Sequence, residues 1–207
     1  MIIMQTASAI ARRDYLTSHR LANVIFEHET EESVCIQYHP KGIKGGVILE
    51  LDSHFPRPGE EDGVKETIAL WHACGPLSGF ARYGESMRRH SHLRLLGVVL
   101  QLAPEDEDIE RAARQWESLF GVKRVEAQNL AFTNASLTFS SGKEGEREGI
   151  QDIVVGVQGK EKLDGILGRA SSEGLKVQHE DYGESFEMLG VKWRFLLGNE
   201  NSRKSRL

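Results

Sequence analysis

Leu95-Leu96-Gly97-Val98-Val99-Leu100-Gln101-Leu102 is a nearly unbroken apolar run, and the elements around it decide the fold. Together with Leu93 it predicts a strand over 93–102. Pro104 and an acidic stretch follow. Ile109, Ala112, Ala113, Trp116, Leu119 and Phe120 then line one side of a helix that Gly121 stops. The spacing predicts that helix over 105–121. Two strands are expected within 129–139, around Asn134-Ala135, and a charged, glycine-punctuated loop over 140–149. The order then recurs. A strand is expected over 150–158 and a helix over 160–173, with Leu163, Ile166, Leu167 and Ala170 at helical spacing and Gly174 as its stop. Strands over 184–189 and 191–197 close the series. From residue 93 the chain thus reads strand, helix, strand, strand, twice, as a repeat of structure with little identity between copies.

Upstream, a helix is expected over 7–21 and strands over 23–28, 33–39 and 46–52. In the second of these Val34, Ile36 and Tyr38 point one way and Cys35, Gln37 and His39 the other. In the third, Val47, Leu49 and Leu51 form one face, and Ile48, Glu50 and Asp52 the opposite one. Residues 1–65 read as a module without its opening strand, 66–91 as a linker with a helix near 79–89, 92–198 as a domain, and 199–207 as a flexible basic tail.

The 207 residues carry 26 Lys plus Arg against 31 Asp plus Glu, a formal charge of -5. That balance argues against nucleic acid or an anionic membrane as partner. No apolar run reaches the roughly 20 residues that span a bilayer, and residues 1–6 lack a secretory pattern. With two cysteines, Cys35 and Cys74, not in CxxC spacing, no disulfide framework is implied, and a cytoplasmic protein is expected.

The order of elements resembles the vicinal oxygen chelate superfamily of glyoxalases, extradiol dioxygenases and bleomycin-resistance proteins. The segments that carry the likeness are 95–102, 113–121, 149–157 and the closing strand Gly190-Val191-Lys192-Trp193-Arg194-Phe195. The resemblance implies an α+β fold of paired βαβββ modules forming a curved-sheet cup, with a partial module at the N-terminus. It also implies a small-molecule ligand. The family's metal ligands, a His on each opening strand and a Glu on each closing strand, fall here on Gly97, Thr138, Asp152 and Arg194. No cofactor is therefore expected. Only Glu50, in the N-terminal piece, keeps a ligand-type residue at a matching place.

Glu50, Asp52 and His54 stand at i, i+2 and i+4, one face of a strand. Two carboxylates and an imidazole suit acid/base chemistry, and equally a divalent metal with His39 from the neighbouring strand. Arg194 and Lys192 share a face of the last strand. A guanidinium there seeks Glu50, Asp152 or an anionic ligand. Glu50, His54 and Arg194 are the expected catalytic residues. His39, Asp52, His72, Val99, Gln101, Phe132 and Lys192 are expected to contact substrate. Val154 is a further expected lining residue. Trp71-His72 offers an aromatic and an imidazole beside Cys74, and His90 and His92 flank Ser91. The expected function is a metal-independent isomerase, cyclase or lyase of secondary metabolism. The alternatives are a non-catalytic binding or resistance protein and a metal-dependent lyase or dioxygenase. A module without its opening strand favours a homodimer.

Overall fold

The structure, a computed structural model, describes residues 1–31, 33–55 and 79–198. Three βαβββ copies follow one another. The first is β1 (Ile2–Gln5), α1 (Ala9–Ser18), β2 (Val24–Glu29), β3 (Ser33–Tyr38) and β4 (Leu49–His54). After α2 (Phe80–Arg89) comes the second: β5 (Leu93–Gln101), α3 (Ile109–Phe120), β6 (Lys123–Arg124), β7 (Asn129–Ala131) and β8 (Ser136–Ser140). The third is β9 (Gly149–Gln158), α4 (Lys160–Ser172), β10 (Gln178–Glu180), β11 (Gly183–Met188) and β12 (Val191–Gly198).

The chain forms two compact units that interleave along the sequence. One holds the described parts of Met1–Trp71, Gln101–Thr133 and Phe139–Gly149; the other those of His72–Leu100, Asn134–Thr138 and Ile150–Leu207.

In the first unit a four-stranded sheet has the order β1-β4-β3-β2. Its opening strand is present, which corrects the expectation of a truncated module. Ile2–Gln5 runs parallel to β4, with Ile3 opposite Glu50 and Gln5 opposite Asp52. One sheet face is apolar: Met4, Val34, Ile36, Tyr38, Leu49 and Leu51 are buried. Ala9 and Leu16 of α1 are buried as well, and α1 lies against β3 and β4. Ser8 caps α1 by accepting from the Ala11 N–H at 3.1 Å, and the Ala9 N–H donates to Ser53 Oγ at 3.1 Å.

Helix α3 begins four residues later than the expected Glu105. Glu105 has φ 69°, outside the helical region, and Asp108 provides the cap by accepting from Arg111 N–H at 2.9 Å. Gly121, with φ 69°, ends it in the left-handed conformation that glycine adopts at little cost. Trp116 is fully buried. Its ring centroid lies 5.7 Å from that of Phe120 and 5.7 Å from that of Phe139, both edge-on, and its indole N–H donates to Lys44 O at 2.9 Å. Gln115 accepts from Lys44 N–H at 2.8 Å and donates to Gly42 O at 2.7 Å, which ties the loop after β3 to the helix.

In the second unit the order is β10-β11-β12-β9-β5. Val157, Leu163, Ala170, Phe186 and Phe195 form its core, with Ile166, Leu167 and Trp193 packed against them. Helix α4 therefore covers β12 as its periodicity predicts. Strands β6 and β10, of two and three residues, were not anticipated.

Trp116→Ala removes both the ring contacts and the tie to Lys44. It is expected to cost about 3–5 kcal/mol, the range for a buried aromatic cut to alanine, read from chemical denaturation.

Candidate functional site

Strand β4 alternates. Leu49 and Leu51 enter the core, so Glu50, Asp52 and His54 emerge on the other face. The register puts Gln37 opposite Glu50 and Cys35 opposite Asp52 on β3, and His28 of β2 opposite Cys35. Two rows thus cross the sheet: Ile3, Glu50, Gln37 and Gln5, Asp52, Cys35. Glu50 is 6% exposed, Asp52 2% and Cys35 7%. One ligating atom from each of these three, the Cys35 Sγ and a carboxylate oxygen of Glu50 and of Asp52, lies within 4.8 Å of the others.

The Gln37 side-chain amide donates to Glu50 Oε2 at 2.6 Å and so orients that carboxylate. Burial pushes the Cys35 thiol up from its ordinary value; Glu50 and Asp52 push it further, against a hydrogen bond with the His28 backbone. The thiol is thereby held in its neutral, protonated form.

Glu50 and Asp52 were anticipated. Cys35, Gln37 and Gln5 were missed: the alternation of β3 put Cys35 and Gln37 on one face, but no sequence signal supplied the register. His54, opposite Ser33, is half-buried at the strand's end. His39 follows β3, is exposed, and accepts at Nδ1 from Lys41 N–H at 2.9 Å. It lines an open basin of about 880 Å³ with Lys41, Lys44, Arg111 and Arg114, outside the Cys35 cluster. Gln101 is buried and its amide lies 3.5 Å from Arg147 O. Val99 and Phe132 are half-buried. Trp71, His72 and Cys74 lie outside the described residues.

In the second unit the positions that the resemblance assigns to metal ligands hold something else. Arg194 donates to Asp152 Oδ2 at 2.9 Å and to Glu180 Oε2 at 2.7 Å. Lys192 pairs with Glu180, and Ser185 donates to it at 2.9 Å. Glu180 on the unanticipated β10 is thus the second partner that Arg194 needed. Gly97 carries no donor, and a Cβ there would meet Ser136 Oγ at 3.0 Å. These residues do not fit a divalent cation, since a guanidinium occupies the place. The thiol and two carboxylates of the first unit do form a donor set that a divalent ion accepts.

No protein-family model matches the chain, and no curated protein matches it. Solved structures do. The chain is similar to a catechol 2,3-dioxygenase (13% identity, TM-score 0.53, 96% of this chain and 68% of that one). It is similar to the 2,2',3-trihydroxybiphenyl 1,2-dioxygenase of Sphingomonas wittichii (13%, 0.53, 95% and 68%). It is also similar to a Mn(II)-bound glyoxalase from Novosphingobium aromaticivorans (10%, 0.51, 95% and 62%). The chain therefore spans about two thirds of their length. Its three βαβββ copies agree with that likeness: the chain has the fold of the vicinal oxygen chelate superfamily. Among the described residues no helix is long and apolar enough to cross a membrane.

Lys192, Ser185 and Arg194 hold the Glu180 carboxyl below its ordinary value. Its contribution to stability is present above the ordinary carboxylate range and is lost as pH falls through the lowered value. Arg194→Leu is expected to lower Tm at pH 7, because Asp152 and Glu180 lose their shared cation. The gap from wild type should narrow below about pH 4, where carboxylates protonate. Thermal melts across pH 3 to 8 read both effects.

Proposed function

We propose that the polar face of the four-stranded sheet binds a small organic molecule and moves a proton on it. The observation that carries this reading is the buried meeting of Glu50, Asp52 and Cys35, with Glu50 oriented by Gln37. Fold alone is a weak warrant for activity, so the residues must support it. A carboxylate fixed through one oxygen keeps its second oxygen aimed, as a general base requires. The neutral Cys35 thiol beside it holds a proton at Sγ that it can return. Isomerisation, cyclisation and elimination all need this pairing of base and proton donor. Arg194 takes no part, being committed to Asp152 and Glu180.

A panel of small carbonyl compounds in D2O, followed by proton NMR, tests the reaction without knowledge of the natural substrate. Wild-type protein is expected to exchange the carbon-bound proton of at least one compound. Glu50→Gln is expected to slow that exchange about 100-fold or more, the usual weight of a positioned base, with the far-UV spectrum unchanged. Equal rates in the two proteins would refute Glu50 as the base.

The same donor set favours a second reading, in which a divalent metal sits on Cys35, Glu50 and Asp52 and supplies Lewis-acid polarisation of a substrate oxygen. Elemental analysis of protein purified without chelator separates the two. About one equivalent of metal, lost in Cys35→Ser, favours the metal reading. Metal-free protein that still exchanges the proton favours Glu50 acting alone.

A further inference from the structure

Between β3 and β4 the chain reads Pro40-Lys41-Gly42-Ile43-Lys44-Gly45-Gly46, two lysines among three glycines. The Ile43 N–H donates to Pro40 O at 2.9 Å, closing a turn whose third residue, Gly42, has φ 89°. Gly45 and Gly46 follow with φ 97° and 59°. Gln115 and Trp116 fasten this loop to α3 through Gly42 O, Lys44 N–H and Lys44 O. Arg111, Arg114 and Gln115, three and four residues apart, share one face of that helix and line the open basin of about 880 Å³ together with the loop. A hollow of this size takes a small molecule.

The charges of the basin do not cancel. Lys44 pairs with Asp106, and Arg114 with Glu110. The side chains of Lys41 and Arg111, both exposed, make no hydrogen bond or ion pair among the described residues. Glu148 brings a carboxylate to the same lining. In a chain of formal charge -5, an excess of cations gathered in one hollow does not follow from composition.

The loop also receives an oxyanion from the protein itself. Glu148 Oε1 accepts from the Gly45 N–H at 2.7 Å. A Cβ on Gly46 would lie 2.8 Å from Glu148 Cγ, so a side chain there would push the carboxylate away. The Gly42 and Gly46 N–H groups, on the same lining, donate to no acceptor among the described residues. Backbone N–H groups presented by turns of left-handed residues form concavities that accept anions.

We propose that this basin binds a small molecule through a phosphate group, with Lys41 and Arg111 as its charged partners and Glu148 as its competitor for the loop. A planar guanidinium fork on the helix and a point charge on the loop suit a tetrahedral dianion with several acceptor oxygens. The net negative charge of the chain opposes an extended polyanion such as nucleic acid, so the phosphate belongs to a small molecule. None of these residues belongs to the Cys35, Glu50 and Asp52 cluster, and the inference stands apart from the chemistry proposed there.

Proton–nitrogen NMR of the full chain, titrated with inorganic phosphate at pH 7 and constant ionic strength, tests it. Saturable shifts of the Gly42, Gly45 and Gly46 amide signals are expected. Lys41→Ala and Arg111→Ala are each expected to weaken binding roughly tenfold, the weight of a hydrogen bond to a charged group. Both side chains are exposed and unpaired, so neither change threatens the fold. Glu148→Gln keeps an acceptor for the Gly45 N–H and removes the charge, and is expected to tighten binding. Phenyl phosphate distinguishes the source: tighter binding than inorganic phosphate assigns the basin to a phosphate ester, and equal binding to free phosphate. Shifts that do not saturate, that chloride or acetate reproduces at the same ionic strength, or that persist undiminished in both alanine variants overturn the inference.

Discussion

Everything placed on the candidate site depends on the alternation of β4. The strand is hydrogen-bonded on both sides, to β1 and β3, so neither its register nor its faces can shift. Leu49, Leu51 and Ser53 are claimed by the side that meets α1. Glu50 and Asp52 are then forced to the opposite side, whatever the local cost of burying carboxylates. A slip of one residue would drive both charges into the apolar core. The hydrophobic demand of one face thus fixes the electrostatics of the other. That is how two carboxylates and a thiol come to lie within 4.8 Å of each other in buried positions.

That coupling explains what could be read without coordinates. The period-two pattern of 46–52 gave the facing of Glu50 and Asp52 correctly, because alternation is intrinsic to a strand. The pattern of 33–39 likewise separated Cys35 and Gln37 from Val34, Ile36 and Tyr38. Which residue of one strand meets which of the other is a property of pairing, so Cys35 opposite Asp52 stayed invisible. β1 was missed for a different reason. Four residues at the chain start, with no turn signal before them, carry too little pattern, and their strand character comes from the ladder with β4. β6 and β10 are shorter still. In α3 the acidic residues after Pro104 imitate a helix first turn; the positive φ of Glu105 and the cap at Asp108 move the start to Ile109.

The second and third copies show the same skeleton put to another use. Where the superfamily resemblance assigns ligands on β9 and β12, the chain places Asp152 and Arg194, and β10 adds Glu180. The group neutralises itself. Its donors are spent on one another, the geometry is stabilised by charge-assisted hydrogen bonds, and little capacity is left for a cation.

The first copy keeps the opposite balance. Its polar rows hold two carboxylates with a thiol and the neutral amide of Gln37, which donates to Glu50. Among the described residues no guanidinium pairs with Glu50 as Arg194 pairs with Asp152. In one chain, then, equal strand order supports two outcomes. An arginine on the closing strand turns the position into a structural ion pair. A glutamate on the closing strand, backed by an amide on its neighbour, leaves it open to chemistry. The substitution at one strand position decides between them, and that is why the N-terminal copy carries the functional reading.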